Sequence, residues 1–325
     1  MASSIEEKST MRIGILLIDG FALMSYSAIV EPMRAANLLK RHALFSIRHI
    51  AVYESRVRSS CGAEVKVSTY VGENVDFDMV FVVAAGSPAN FQDARTFSWL
   101  QLLARRGVTL AGVSGGPVIL VAAGVMDSYR MTVHWEHAEL LNETSPDLFV
   151  SRTLYLVDRD RITCAGGIAP LDLMHSLITE YYGGDLAQRV SDWFMHTDIR
   201  PSGGPQRAGI VARYRTNSAP VVVAIETMEN HIADPLSLSQ LALVTNISER
   251  QLNRLFDQEL GQTTMRFYRF IRLEIAQIML RSSSLSIQEI AFATGFSTAT
   301  HFSQCFKKRY EKSPGTLRGA GPVVL

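Results

Sequence analysis

Cysteine is scarce in this chain: Cys61, Cys164 and Cys305 are the only three in 325 residues, and they are far apart. An odd, scattered set excludes a disulfide framework and a clustered metal site, and it points to a reducing cytoplasm. Long apolar runs are missing too. The greasiest stretch, Val108 to Val125, is broken by Ser114, Gly115, Gly116 and Pro117, short of the roughly 18 consecutive apolar residues of a membrane span. The first eleven residues are polar and lack the apolar core of a secretion signal. No segment repeats at the period of roughly 20 to 50 residues that marks a solenoid or propeller.

What is present is an ordinary globular composition, 47% hydrophobic and 19% charged, in a chain long enough for two domains. The net charge of +1 conceals an asymmetry. A Pro/Gly-rich stretch, Arg200-Pro-Ser-Gly-Gly-Pro-Gln, punctuates the chain. Up to Pro205 there are 18 Lys/Arg against 22 Asp/Glu, a net of −4; from Gln206 onward there are 14 against 9, a net of +5. The smaller part carries the basic excess, as a phosphate-binding domain would.

In the first two hundred residues, short apolar runs alternate with helical patterns. Arg12–Ile18, Phe45–Val52, Met79–Ala84 and Val108–Val113 read as buried strands; Ala22–Lys40, Asp93–Arg105 and Pro117–Ala123 read as helices between them. That order predicts a flavodoxin-like α/β domain, a mostly parallel sheet with helices on both faces. A hairpin follows, Thr153–Val157 with Arg161–Cys164, then helices at Pro170–Tyr182 and Asp185–Met195. The run Val221–Ile225 is ambiguous alone, but it continues at helical spacing, and Pro220 to Tyr310 reads as helix and turn throughout. The expected domains are therefore 11–199 (α/β), a linker at 200–218, and an all-α domain at 219–320.

Two segments of the α-part, about 50 residues apart, share one plan. Leu238 to Phe256 and Ile287 to Phe306 each hold a short helix with a central Ala, a tight turn, a Ser, and a second helix ending in aromatics. Ala242 and Ala291 allow close helix crossing, Asn246 and Gly295 suit a left-handed turn, and Ser248 and Ser297 are placed to cap the second helices. This is the plan of a helix-turn-helix, whose second helix enters the major groove. Leu252, Leu255, Phe256, Phe302 and Phe306 fall on the core side. The other faces carry Ser248, Arg250, Gln251, Asn253 and Arg254, and Thr298, Thr300, His301, Gln304, Lys307 and Lys308, side chains suited to base edges or phosphates.

From Leu238 to Leu317 the chain resembles the DNA-binding domain of the AraC/XylS family, including a bridging helix Thr264–Leu280 with Arg272-Leu273 at its centre. The resemblance departs at Tyr310-Glu311-Lys312, where family members commonly have Phe-Gly-x; a change of turn is expected there.

Residues 12–195 resemble the glutamine-amidotransferase-like superfamily that includes PfpI-type proteases, and with both parts together the chain is similar to GlxA-type regulators. The resemblance rests on Gly20-Phe21, Val30-Glu31-Pro32, Ala85-Gly86-Ser87-Pro88, Ala111 to Gly116, Thr132 to Glu136 and Thr163 to Gly167, in that order. Where the superfamily's enzymes carry a nucleophilic Cys on a sharp strand-to-helix turn, this chain has Ser114. A serine there needs a base, and the resemblance places only His134 and His137 to serve, with no Asp or Glu evidently orienting them. Catalysis is therefore expected to be lost, and what remains is a ligand site at the carboxyl ends of the strands, walled by Phe21, Glu31, Gly86, Ser87, Ser114, Gly115, His134 and Trp135. By its residue type alone Glu31 is a helix-surface carboxylate; the resemblance is what places an acid beside the nucleophile. Trp135 reads as core or as wall. As a wall it would favour an amino acid, a betaine or another amine through cation–π attraction. His134 and His137 lack a third metal ligand nearby; no metal and no cofactor are expected.

The expected function is ligand-controlled transcription regulation, as an activator in the cytoplasm. Expected partners are promoter or operator duplex DNA, a small-molecule effector, RNA polymerase and a second copy of the chain, with no membrane. The rivals are an active hydrolase or amidase fused to a DNA-binding module, and a constitutive architectural DNA binder.

Overall fold

The computed structural model describes residues 9–67 and 69–319, and the chain divides into two units, the first ending at Gln206 and the second beginning at Arg207. The strands are β1 (Met11–Leu17), β2 (Phe45–Ala51), β3 (Arg56–Arg58), β4 (Glu64–Lys66), β5 (Thr69–Tyr70), β6 (Met79–Ala84), β7 (Thr109–Ser114), β8 (Arg130–Thr132), β9 (Phe149–Ser151), β10 (Tyr155–Asp158) and β11 (Arg161–Cys164). In the first unit the helices are α1 (Leu23–Lys40), α2 (Ala94–Arg105), α3 (Gly116–Ala122), α4 (Trp135–Thr144), α5 (Ala169–Tyr182) and α6 (Gly184–Trp193).

Seven strands form one sheet in the order β10-β11-β7-β6-β1-β2-β5. Every pairing is parallel except that of β10 with β11, the expected hairpin. The period-two alternation of the strands divides the core in two. Ile13, Ile15 and Leu17 of β1, with Phe81 and Val83 of β6, pack beneath α1, α5 and α6. Leu16 of β1, with Val80, Val82 and Ala84 of β6, packs beneath α2, α3 and α4 on the opposite face. Fully buried strands covered on both faces are what continuous Val/Ile/Leu runs encode. The hairpin of β3 with β4 and the small parallel pair of β8 with β9 were not expected from the sequence; both are three residues long per strand, too short for a periodic pattern.

The stretch expected as linker, 200–218, is mostly structured. Arg200 donates from its backbone N, Nε and Nη2 to the carboxylate of Asp172, Leu154 N donates to Ser202 O, and the Gln206 carboxamide is bonded to residues 132, 133 and 153. The Pro/Gly content of 200–206 therefore builds a fitted strap on the first unit. At the other end Ile210 is already part of the second unit's core.

The second unit is all helical within the described residues: α7 (Ile210–Tyr214), α8 (Ala219–Glu229), α9 (Leu238–Val244), α10 (Glu249–Leu260), α11 (Thr264–Ser282), α12 (Ile287–Ala293), α13 (Ala299–Tyr310) and α14 (Pro314–Gly319). Residue 320, the expected end of this domain, lies outside the described residues. Two small cores share α11. Phe267, Tyr268 and Ile271 pack with α8, α9 and α10, while Leu273, Ala276, Met279 and Leu280 pack with α12 and α13. At the departure from the family pattern, Glu311 closes α13 with φ of 59°. The left-handed turn is thus kept without its glycine, at a cost of about 1 kcal/mol. No helix among the described residues is long and apolar enough to cross a membrane.

Candidate functional site

In the second unit each helix-turn-helix is built by local chemistry. Ser237 and Ser286 start α9 and α12 with reciprocal capping boxes to Gln240 and Glu289. Asn246 and Gly295 take the left-handed turns, with φ of 55° and 72°. Gly295 is further constrained by space: a Cβ there would lie 2.6 Å from the carbonyl oxygen of Ile232. Leu252, Phe256, Phe302 and Phe306 are fully buried, and Leu255 is half-buried beside them. The opposite faces of α10 and α13 expose Arg250 and Arg254, and Thr300, His301, Gln304, Lys307 and Lys308.

Four of the side chains assigned to DNA from the sequence have structural partners. Ser248 and Gln251 form the capping box of α10: Gln251 N donates to Ser248 Oγ at 3.3 Å, and Ser248 N donates to Gln251 Oε1 at 3.1 Å. Asn253 Oδ1 accepts from Thr264 N at 3.1 Å, bracing the start of α11. The cap of α13 is Thr298, whose Oγ1 accepts from His301 N at 3.2 Å. Ser297, the expected cap, lies one residue too early. Arg272 is the residue whose bracing role the sequence did not reveal: its Nε and Nη2 donate to Thr294 O and Gly295 O, at 2.7 and 3.0 Å, and its guanidinium stacks over Phe296 at 4.3 Å.

In the first unit the topology collects the other candidates at one edge. Phe21, Gly86-Ser87 and Ser114-Gly115 follow or end β1, β6 and β7, which are neighbours in the sheet, and Ala84 pairs with Ser114. Ser114 has φ of 59°, a strained value for a residue with a Cβ, of order 1–3 kcal/mol. Glycines make room for this turn. A Cβ on Gly116 would sit 2.0 Å from Val82 O, and one on Gly166 would sit 2.7 Å from the Ser114 Cβ. Gly166, at the end of β11, is thus a wall of the turn that the sequence reading did not single out.

The predicted walls differ in access. Ser114 and Gly115 are buried, and Phe21 is sealed in the core edge-on to Tyr26, ring centroids 5.4 Å apart. Phe21 is therefore a support under the edge and presents no free face. Glu31 is bound to Arg34 Nη2 at 2.6 Å, as a helix-surface pair. Ser87 occupies the N-cap of the short turn Pro88–Asn90. His134 caps α4, its Nδ1 accepting from Glu136 N at 3.4 Å, and the Glu136 carboxylate lies 3.5 Å from the same nitrogen. The Trp135 ring lies 5.2 Å from that of His134. Neither His134 nor His137 is hydrogen-bonded to Ser114 among the described residues. His137 is 2% exposed with Nδ1 unpartnered, and burial together with the nearby His134 brings its pKa down to about 4. Burial lowers the His134 pKa as well, against the pull of Glu136. Cys164 is fully buried, its thiol pushed up to about 12, which makes it a poor nucleophile. No group of three or more His, Cys, Asp or Glu among the described residues could hold a metal.

With this geometry in view, the comparisons with known proteins are consistent for both units. Residues 11–180 match the model of the DJ-1/PfpI family, and residues 241–320 match that of a helix-turn-helix domain. The chain is similar to the HTH-type transcriptional regulator GlxA of Rhizobium meliloti, 41% identical over 319 residues and covering 98% of both chains. It is similar to the HTH-type transcriptional regulator CdhR of Pseudomonas aeruginosa, 36% identical over 316 residues, 95% of this chain and 91% of that one. A crystal structure of an AraC family transcriptional regulator from Pseudomonas putida aligns with a TM-score of 0.51 at 25% identity, over 57% of this chain and 99% of that chain.

The depressed His137 pKa has a consequence for stability. An imidazole that ionises near 6.5 when unfolded but near 4 when folded favours the folded state fully above pH 6.5. That contribution, about 3 kcal/mol, is lost as pH falls from 6.5 towards 4. Urea unfolding at pH 7 and pH 4.5 should show the loss in wild type and a much smaller one in His137→Phe; equal losses would contradict the assignment.

Proposed function

Because this chain belongs to the AraC-type helix-turn-helix transcription regulators that carry a DJ-1/PfpI front domain, we propose that it is an activator controlled by a small metabolite bound at the Ser114 edge, without catalysis. The observation that carries this reading is the Ser114 turn itself. Its strain and its glycine packing are present, yet among the described residues no base is bonded to the hydroxyl. A turn kept without its chemistry is best explained as a place where a ligand approaches the backbone closely. His134 and Trp135 complete the site on this reading, and an aromatic face there suits an amino acid, a betaine or another amine. Glu31 would add a carboxylate only by leaving Arg34.

On the DNA side, the free faces of α10 and α13 support base and phosphate contacts from Arg250, Arg254, Thr300, His301, Gln304, Lys307 and Lys308. Ser248, Gln251, Asn253 and Thr298 also hold those helices in shape, and the polar atoms they leave free remain candidates for DNA contacts. Pairing of two chains would extend the operator read, and an activator would present RNA polymerase to the promoter in the cytoplasm, a compartment consistent with three free cysteines.

Arg254→Ala and Gln304→Ala should each weaken specific binding by about 1 to 3 kcal/mol while leaving the fold intact. Gel shifts on a duplex selected by wild type and on its scramble test this; wild-type affinity in both mutants would remove the two helices from the groove.

Ser114→Ala should leave effector-dependent transcription largely unchanged, since the hydroxyl contributes at most a hydrogen bond of about 0.5 to 1.5 kcal/mol. Ser114→Trp should abolish the response by filling the edge, with DNA binding retained. An acyl-enzyme on Ser114, or hydrolysis that vanishes in Ser114→Ala, would favour the hydrolase reading.

A further inference from the structure

The strap that ends the first unit is held in two unlike ways. Its beginning is pinned by charge: Asp172, wholly buried on α5, receives Arg200 Nη2 at 2.6 Å and Arg200 Nε at 3.0 Å, and His196 Nε2 lies 2.9 Å from the same carboxylate. Its end is clasped by a neutral amide. Gln206 Nε2 donates to Thr153 O at 2.7 Å, and to Val133 O and Thr132 Oγ1 at 3.1 Å each. Thr132 Oγ1 in turn donates to Thr153 O at 2.7 Å, and Thr132 N donates to Thr163 Oγ1 at 2.9 Å.

Two features make this clasp unlike an ordinary anchor. Gln206 Oε1 is buried without a hydrogen-bond partner among the described residues, so release of the clasp exposes that oxygen to solvent. One of the two carbonyls the carboxamide grips belongs to Val133, the residue directly before His134 and Trp135 at the proposed effector site. On its other side the next residue, Arg207, already belongs to the second unit. There its charge acts on Glu274 of α11, lowering a carboxyl pKa that burial raises.

We propose that Gln206 is the positioning residue through which occupancy of the effector site reaches the DNA-binding unit. A group docked against His134 and Trp135 displaces the Thr132–Val133 backbone and opens the carboxamide clasp, while the Asp172 pin holds. The released stretch between Ser202 and Gln206 then joins the tether, adding up to roughly 3.3–3.6 Å of reach per residue. This rests on the placement of the effector beside His134.

The test uses the full chain, without effector. Wild type, Gln206→Leu and the shorter Gln206→Asn are compared by hydrogen–deuterium exchange and by affinity for a duplex that wild type selects from random-sequence DNA. Exchange at residues 131–134, at Gly204 and at Leu154, whose amides bond Pro201 O and Ser202 O within the strap, should quicken about tenfold in both variants, with β6 unchanged. Duplex affinity should rise about fivefold, because a longer tether admits more placements of the reading helices. His134→Ala, which removes the cap of α4 next to Val133, should quicken exchange at Gly204 and Leu154 as well. Unchanged exchange at Gly204 and Leu154 in these variants overturns the clasp, and an affinity within twofold of wild type, or weaker, overturns its regulatory role while leaving DNA binding intact. A wild-type chain that selects no duplex removes the proposed function instead, and exchange alone then decides the clasp.

Discussion

Arg272 projects from the middle of α11 into the turn of the second helix-turn-helix, and the placement of α13 depends on it. Its donors satisfy the carbonyls of Thr294 and Gly295, groups at a helix end that would otherwise be left without partners. Burial acts against the guanidinium charge, and the stacked ring of Phe296 offsets part of that cost. At the same turn Gly295 lies against Ile232 and Pro235, from the connection between α8 and α9. At the other end of α11, Asn253 of α10 accepts from Thr264 N. The bridging helix is thus tied to the first candidate reading helix at its start and to the turn of the second helix-turn-helix at its middle, with each half buried in a different core. Two helix-turn-helix units on a flexible connection would read two short sites independently; held this way, on the proposed reading, they would read one longer site.

The first unit follows a different logic. Its sheet brings strained backbone, not reactive side chains, to the working edge. Ser114 keeps the left-handed conformation of a nucleophile's turn, but the imidazoles nearest in sequence plan are occupied or neutralised by burial, His134 beside Glu136 and His137 within the core. Cys164, the buried thiol at the end of β11, is equally inert. On the proposed reading such an edge binds without turning over, and a binding event can change DNA affinity only if the two states of the chain bind the ligand differently.

Much of this was legible in the sequence. Continuous apolar runs announced buried parallel strands because both faces of the sheet are covered, and the paired Ala, Asn or Gly, and Ser positions announced two helix-turn-helix units because tight crossing and left-handed turns admit few residues. What escaped depends on distant partners. The exposed-looking Asn253 is a brace for Thr264, eleven residues on, and nothing local marks it. Ser297 and Thr298 are both competent caps, and only the backbone's path selects the second. The stretch 200–206 has the composition of a linker because prolines and glycines also suit a strap that must follow a fixed surface; its partners Asp172, Leu154 and Thr132 are all distant in sequence. Phe21 was read as a wall from its position after β1, whereas the ring turns inward onto Tyr26.

On the proposed reading, one chain presents two reading helices held rigidly by α11. Hydroxyl-radical footprinting of the full chain on a duplex it selects tests this most directly. Two protected segments per chain on one face of the DNA, separated by roughly one helical turn of about 10 base pairs, are predicted. Protection of a single segment, or of two segments whose spacing varies freely between selected duplexes, would contradict it.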